Sequence, residues 1–294
     1  MTLNRYIKYY EETKKKFVVE GGVLFRLYNK MIVPVGPITK NNNIDLDYKK
    51  IFKKVPGSIL IRVGTGLDEK NNEEWYAVIC DEFKSLEKVN SNLRYKIRKG
   101  LKSFEVRKID VKELAEKGYD VFINAFKRYK NTKVPNISRE EYYEDIMLNK
   151  GYEDIFEYWG VFKGEKLVAY TINNIYGKEE VEYSVIKIDP EYFKQYPSYA
   201  LIYSMNKYYL EDRNFRLVND GFRCLSHDTN IQQFLISNFN FRKQGVGLKI
   251  KYKSYIKIFI YITYPFRNIL KKLDRRIGAI YKLEEIRKKT SGGK

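Results

Sequence analysis

Histidine is nearly missing from this 294-residue chain, which holds His227 and no other. Cysteine is scarce as well. Cys80 and Cys224 stand far apart without C-x-x-C spacing, so neither a zinc site nor a disulfide framework is expected. No metal is implied, and reduced thiols of a cytoplasmic protein fit the pair better. No apolar run approaches the roughly 18 residues that suggest a spanning helix. The opening MTLNRYIKYYEETKKKF lacks the uninterrupted apolar core of a signal peptide. A soluble or peripheral protein is expected, cytoplasmic or at the inner face of a membrane. No internal repeat is evident.

What the chain has in abundance is positive charge. The formal net charge is +19, on a background of 44% apolar and 16% aromatic residues that excludes a disordered chain. Two readings are open. One is an anionic partner such as nucleic acid, a phosphorylated carrier or a lipid surface. The other is compositional bias, since Lys, Asn, Ile and Tyr recur throughout. The charge is uneven: residues 242–294 hold sixteen Lys and Arg against Asp274, Glu284 and Glu285, a net +13. Inside that tail lies the apolar, aromatic segment YIKIFIYITYPF.

Local patterns give the element order. Residues 1–14 suit a short helix. Val23–Tyr28 and Met31–Val35 flank Asn29-Lys30 as a hairpin. A short helix starts near Asp45 or Asp47, and SILIRVG and WYAVICDEF read as strands. From Ser85, apolar residues at Leu86, Val89, Leu93, Ile97 and Leu101 suit one helix face. FEVRKI is a strand. Asp110 with Glu113, and Ser138 with Glu141, have capping-box spacing at two helix starts. Residues 156–188 read as a three-strand meander, Pro197 opens a helix, and RLVND is a short strand. Thr229 and Gln232 form a further capping box, and NFRKQGVGLKIKY ends the order as a strand pair or one long strand.

Three stretches, taken together, resemble a known family. NSNLRYKIRKGLK is similar to the basic R-x-x-I-R-K helix that opens the second domain of Fem-type proteins. FEYWGVFKGEKLVAYTINNIYGKEEVEYSV is similar to their central strands. SYALIYSMNKYYLEDRNFRLVNDG is similar to their helix–strand step, although a small residue often stands for Asp212 or Arg213. HDTNIQQFLISNFNFRK resembles the close of a GNAT (N-acetyltransferase-like) domain, with Asn240 in place of the usual glycine. The resemblance covers about residues 85–252. It implies a mixed α/β fold, with a GNAT-like central mixed sheet flanked by helices and a smaller, degenerate GNAT-like N-terminal half. The expected domains are 1–83, a truncated first half, 84–252, the GNAT-like domain, and 253–294, the basic tail. One departure matters. The glycine-rich pyrophosphate loop of acetyl-CoA enzymes is absent before Pro197, where the chain reads EYFKQYPSY. Such loops let backbone N–H groups approach phosphates at a helix N-terminus. Fem-type proteins, which take aminoacyl-tRNA, also lack it.

The resemblance implies acyl- or aminoacyl-transfer to an amine or hydroxyl of a cell-envelope or polysaccharide precursor. The donor is acyl-CoA or aminoacyl-tRNA, with no tightly bound cofactor. His227 is a candidate general base. Glu182, on a central strand where GNAT enzymes often carry a carboxylate, is a second, if it faces inward with a raised pKa. Asp220, Arg223, Ser226 and Asn230 are candidate substrate-binding residues around the histidine, Arg223 as a carboxylate or phosphate clamp. Arg94, Arg98, Lys99 and Lys102 are candidates for holding carrier phosphates, tRNA among them. Plainer readings stand beside each: a helix-start histidine, a solvent-facing Glu182, an ion pair that stiffens the Arg223 loop, and a solvated α-helical face. The tail 253–294 could contact a membrane, pack on the protein's own body or join two copies. Two other functions stay open, a non-catalytic GNAT-like scaffold for an anionic polymer or membrane surface, and an RNA-binding protein on charge alone.

Overall fold

The structure, a computed structural model, describes residues 2–40, 45–67, 74–127, 134–225 and 230–291. In chain order the elements are α1 (Thr2–Glu12), β1 (Phe17–Glu20), β2 (Val23–Tyr28), β3 (Met31–Val35), α2 (Tyr48–Lys54), β4 (Leu60–Leu67), β5 (Tyr76–Cys80), α3 (Ser91–Ser103) and β6 (Glu105–Ile109). There follow α4 (Val111–Lys127), α5 (Arg139–Met147), β7 (Phe156–Lys163), β8 (Lys166–Tyr176), β9 (Glu180–Ile188), α6 (Pro197–Asn206) and β10 (Leu217–Phe222). The last are α7 (Ile231–Asn238), β11 (Arg242–Tyr252), α8 (Ser254–Thr263), α9 (Arg267–Leu273) and α10 (Arg275–Ser291). The chain divides into two compact units. One comprises Met1–Tyr9, Ile79–Asp220 and Phe234–Phe241, and the other Tyr10–Val78, Gly221–Gln233 and Arg242–Lys294.

The first unit is a mixed sheet in the order β10-β9-β8-β7-β6. The β9–β10 pair is parallel and the others are antiparallel. Neighbouring residues on a strand face opposite sides, and the sheet uses both. Thr171 and Asn173 of β8 reach Met205 of α6, while Lys187 of β9 lies over the Phe122 and Phe126 rings of α4. Helices therefore flank both faces. Asn90, not Leu86, starts α3: its side chain accepts from the Leu93 N–H at 2.9 Å. Val89 is extended there, so Leu86 and Val89 precede the helix, and the buried face is Leu93, Ile97 and Gly100, with Leu101 exposed. The Ser138–Glu141 capping box forms in full. At α4 only half forms. Asp110 accepts from the Glu113 N–H, but the Glu113 carboxylate makes a two-bond fork with Arg107 instead (2.7 and 2.8 Å). Asn240 has φ +60, the left-handed conformation that glycine favours and asparagine tolerates.

The second unit is a sheet in the order β1-β2-β3-β4-β11, antiparallel except at β3–β4. Asn29 and Lys30 both have positive φ in the β2–β3 hairpin turn. Asp47 caps α2. Phe25, Ile32, Ile51, Val55 and Ile61 lie at the centre of its core. NFRKQGVGLKIKY forms one long strand, β11, and the tail that follows it is helical.

Candidate functional site

The β9–β10 ladder sets the site. Three pairs hold it, Glu180–Leu217, Val181–Val218 and Glu182–Asn219. Asn219 pins the last one, donating from Nδ2 to Glu180 Oε1 (3.0 Å) and to the Val181 carbonyl (3.3 Å). Past that point β9 takes an extra residue. Its register with β8 moves from Tyr183–Asn173 to Val185–Ile172, which leaves the exposed Ser184 as a bulge. Bulges re-aim backbone and side chains and recur beside active sites.

Glu182 stands at the end of this ladder, half-buried. Its Oε2 accepts two hydrogen bonds across the hairpin, from Asn174 Nδ2 (2.8 Å) and from the Tyr176 hydroxyl (2.9 Å). Its Oε1 accepts none among the described residues. The carboxylate is thus oriented by one oxygen and open at the other, which is what a proton acceptor needs. Tyr6 of α1 packs against Tyr176, the rings tilted by 34° with centres 5.5 Å apart. Asp220, next along β10 from Asn219, is half-buried.

The opposite face of β9 is filled. Tyr183 is buried near the rings of Tyr209 and Phe241, and its hydroxyl donates to Asn206 Oδ1 at 2.8 Å. Burial pushes the Tyr183 and Tyr209 phenols well above their ordinary pKa. Asn206 also borders a hollow lined by Leu93, Ile97, Tyr203 and Phe239, but that hollow holds only about 20 Å³, about one water. Deeper in, the Tyr209 hydroxyl donates to Glu157 (2.9 Å) and accepts from Trp159 Nε1 (3.0 Å) and Asn173 Nδ2 (3.2 Å).

The start of α6 is where a phosphate cradle would stand. Tyr196 caps it at φ +65, a left-handed conformation that is strained for a tyrosine. Pro197 has no N–H, and the Tyr199 N–H turns back to the Tyr196 carbonyl at 3.1 Å. Of the first three helical positions only Ser198 keeps an N–H for an anion. Gly100 of α3 closes against the same carbonyl, where a β-carbon would lie 2.6 Å away.

On the outer side of α3, Ser91, Arg94, Tyr95, Arg98, Lys99 and Lys102 line an open hollow of about 510 Å³. The four cations are not equivalent. Arg94 is committed to backbone, its guanidinium donating to the carbonyls of Leu86 (2.7 Å), Val89 (3.0 Å) and Glu87 (3.1 Å). Lys99 lies over the rings of Tyr196 and the exposed Tyr95. Arg98 and Lys102 are exposed.

The remaining residues singled out from the sequence fall elsewhere. Arg223, in the second unit, donates to the Glu74 carbonyl (2.8 Å) and pairs with the Glu74 carboxylate (3.7 Å). Asn230 is exposed before α7. Ser226, His227 and Thr229 lie outside the described residues. Gln232 donates to the Phe222 carbonyl (3.1 Å). Sequence reasoning named Glu182 but missed Asn174 and Tyr176, which orient it. The signal was the Asn173-Asn174 pair inside an otherwise apolar strand, since buried amides need partners.

No family model and no curated protein matches the chain. Two solved structures share its fold across nearly their whole length. One is the C-terminal domain of an Agrobacterium fabrum protein assigned as a lysylphosphatidylglycerol synthetase, with 9% identity and a TM-score of 0.52, covering 89% of this chain and 93% of that one. The other is FemX, with 11% identity and a TM-score of 0.51, covering 88% and 92%. At such identities the likeness is one of fold, a mixed α/β fold of GNAT- and FemX-like architecture.

Proposed function

We propose that the chain is an aminoacyl- or acyltransferase in which Glu182 is the general base. An amine or hydroxyl of an envelope or polysaccharide precursor attacks the activated carbonyl of the donor. Its proton passes to Glu182 Oε1, the bond to the carrier breaks, and the leaving group takes the proton back. Backbone N–H groups at the Ser184 bulge, where β9 leaves the ladder, meet the developing oxyanion. The observation that carries this reading is the Glu182 carboxylate, held by Asn174 and Tyr176 through one oxygen and open at the other. His227, the other base candidate from sequence, is the second choice for the same step.

The donor fitted best is aminoacyl-tRNA. The start of α6 offers one N–H where an acyl-CoA pyrophosphate needs several. The α3 hollow offers Arg98, Lys99, Lys102 and the exposed Tyr95, a set suited to phosphates and an unpaired base. The name given to one structural neighbour, a domain of a protein assigned as a lysylphosphatidylglycerol synthetase, is in keeping with aminoacyl transfer. Thermal shift and binding measurements separate the donors. Saturable, salt-sensitive binding of tRNA with no response to acyl-CoA is expected. A saturable acyl-CoA shift without tRNA binding overturns the choice.

A second reading, a non-catalytic scaffold that binds an anionic polymer, is favoured by the aromatic filling around Tyr183. Polymer binding without transfer from any donor supports it.

A further inference from the structure

The second unit ends in a surface that its own fold leaves bare. Among the described residues the six most exposed large apolar side chains all lie between Tyr255 and Ile269, with Tyr261 at 84%. Tyr255, Ile258, Phe259 and Ile262 follow helical spacing of three and four, so they form one stripe along α8. Ile269 of α9 is exposed as well. The opposite side of α8 is anchored. Ile260 is buried, and Thr263 Oγ1 accepts from the Tyr281 hydroxyl of α10 at 2.6 Å. Arg267 (3.2 Å) and Lys271 (2.6 Å) of α9 both pair with Glu285 of α10. The bare stripe therefore sits on a fixed platform.

A short helix apolar on both sides needs a second apolar environment. Its chemistry is set by charge. No Asp or Glu occurs between Asp228 and Asp274. Lys272 of α9, three residues beyond the exposed Ile269, is itself exposed, with no ion pair among the described residues. A two-fold contact with a second copy would bring two such acid-free, net-positive segments together, which like charges oppose. No helix among the described residues is long and apolar enough to cross a membrane, and the ten residues of α8 span only about 15 Å. We infer that α8 and α9 lie in the plane of an anionic bilayer surface. The Tyr255–Ile262 stripe sinks among the acyl chains, Tyr261 at its edge sits at headgroup level, and Lys272 meets lipid phosphate.

This inference is independent of the transfer reading, because vesicle binding requires no donor or acceptor. The full chain is sedimented with vesicles of phosphatidylcholine alone and of phosphatidylcholine mixed with phosphatidylglycerol. Binding to the mixed vesicles alone is expected, weakened by salt. Ile258→Glu with Ile262→Glu lowers it at least tenfold, from the lost apolar insertion. Lys272→Glu lowers it about fivefold or more. Both sites are exposed, so the melting midpoint holds in every variant. Three results overturn the inference: no binding to the mixed vesicles, unchanged binding by the Ile258/Ile262 variant, or a light-scattering dimer that Ile258→Glu splits.

Discussion

Gly100 of α3 meets Tyr196 at the start of α6 so closely that a β-carbon on Gly100 would lie 2.6 Å from the Tyr196 carbonyl oxygen. A backbone atom cannot rotate away, so any side chain at position 100 must push the two helices apart. Alanine also meets the Ala200 methyl at 3.1 Å. Gly100→Ala is expected to destabilise the fold by about 1–3 kcal/mol from overpacking, outweighing the helix-propensity gain of about 1 kcal/mol. Urea unfolding reads this as a lower midpoint. An unchanged midpoint means that the two helices are free to separate.

The Tyr209 hydroxyl joins Glu157, Trp159 and Asn173 under α6. Tyr209→Phe keeps the ring, leaves the buried Trp159 Nε1 without its partner, and takes one hydrogen bond each from Glu157 and Asn173. The expected loss is about 1–3 kcal/mol, the cost of unmet buried hydrogen-bonding groups. Equilibrium unfolding of the variant measures it. A change under about 0.5 kcal/mol, the level of ordinary surface substitutions, means that water replaces the hydroxyl.

Glu113 gives a pH signature. The Arg107 fork, with Lys117 behind it, lowers the Glu113 carboxyl from its ordinary value to about 2. A lowered folded-state pKa stabilises the fold above the unfolded-state value of about 4.3, and that stabilisation is lost as pH falls toward 2. Arg107 is partly exposed, so the effect is modest. The stability gap between the wild type and Glu113→Gln should be constant at neutral pH and close between about pH 4.3 and 2. A gap that persists at pH 2 assigns the effect to packing.

The α3 hollow makes a charge prediction. Lys99→Glu with Lys102→Glu should weaken tRNA binding about tenfold or more and reduce the magnitude of the salt slope by about 2. Arg94→Gln should instead lower stability, because its guanidinium holds three carbonyls ahead of α3. Filter binding across a salt series reads the first effect and thermal melting the second.

The strands were legible because each carries its own alternation and turn signals, as Asn29-Lys30 does between β2 and β3. Asn240 was legible as a glycine stand-in, since asparagine accepts the left-handed backbone it adopts. The start of α3 was misread because Leu86 and Val89 fall on the helical period by coincidence, and spacing cannot see the Asn90 cap that overrides them. Glu113 was misread as a capping-box partner because its carboxylate had a stronger option in Arg107. At the site, Glu182 could be named from sequence but its setting could not. Asn174 and Tyr176 lie eight and six residues back along the chain. Whether they meet Glu182 depends on the register set by the β8–β9 turn, with Tyr176 opposite Glu180 and Asn174 opposite Glu182, and a one-residue shift would turn them to the other face.

Single-turnover transfer from a pool of aminoacyl-tRNA to an envelope-precursor and lipid extract, comparing the wild type with Glu182→Gln, tests the central claim most directly. Glutamine keeps the shape of Glu182 and removes its basicity. The wild type should form an aminoacylated product. The variant should bind tRNA equally well and transfer about 10²–10⁴ times more slowly, the usual worth of a general base. Equal transfer rates at matched tRNA binding, or a wild type that uses acyl-CoA and leaves aminoacyl-tRNA untouched, would contradict it.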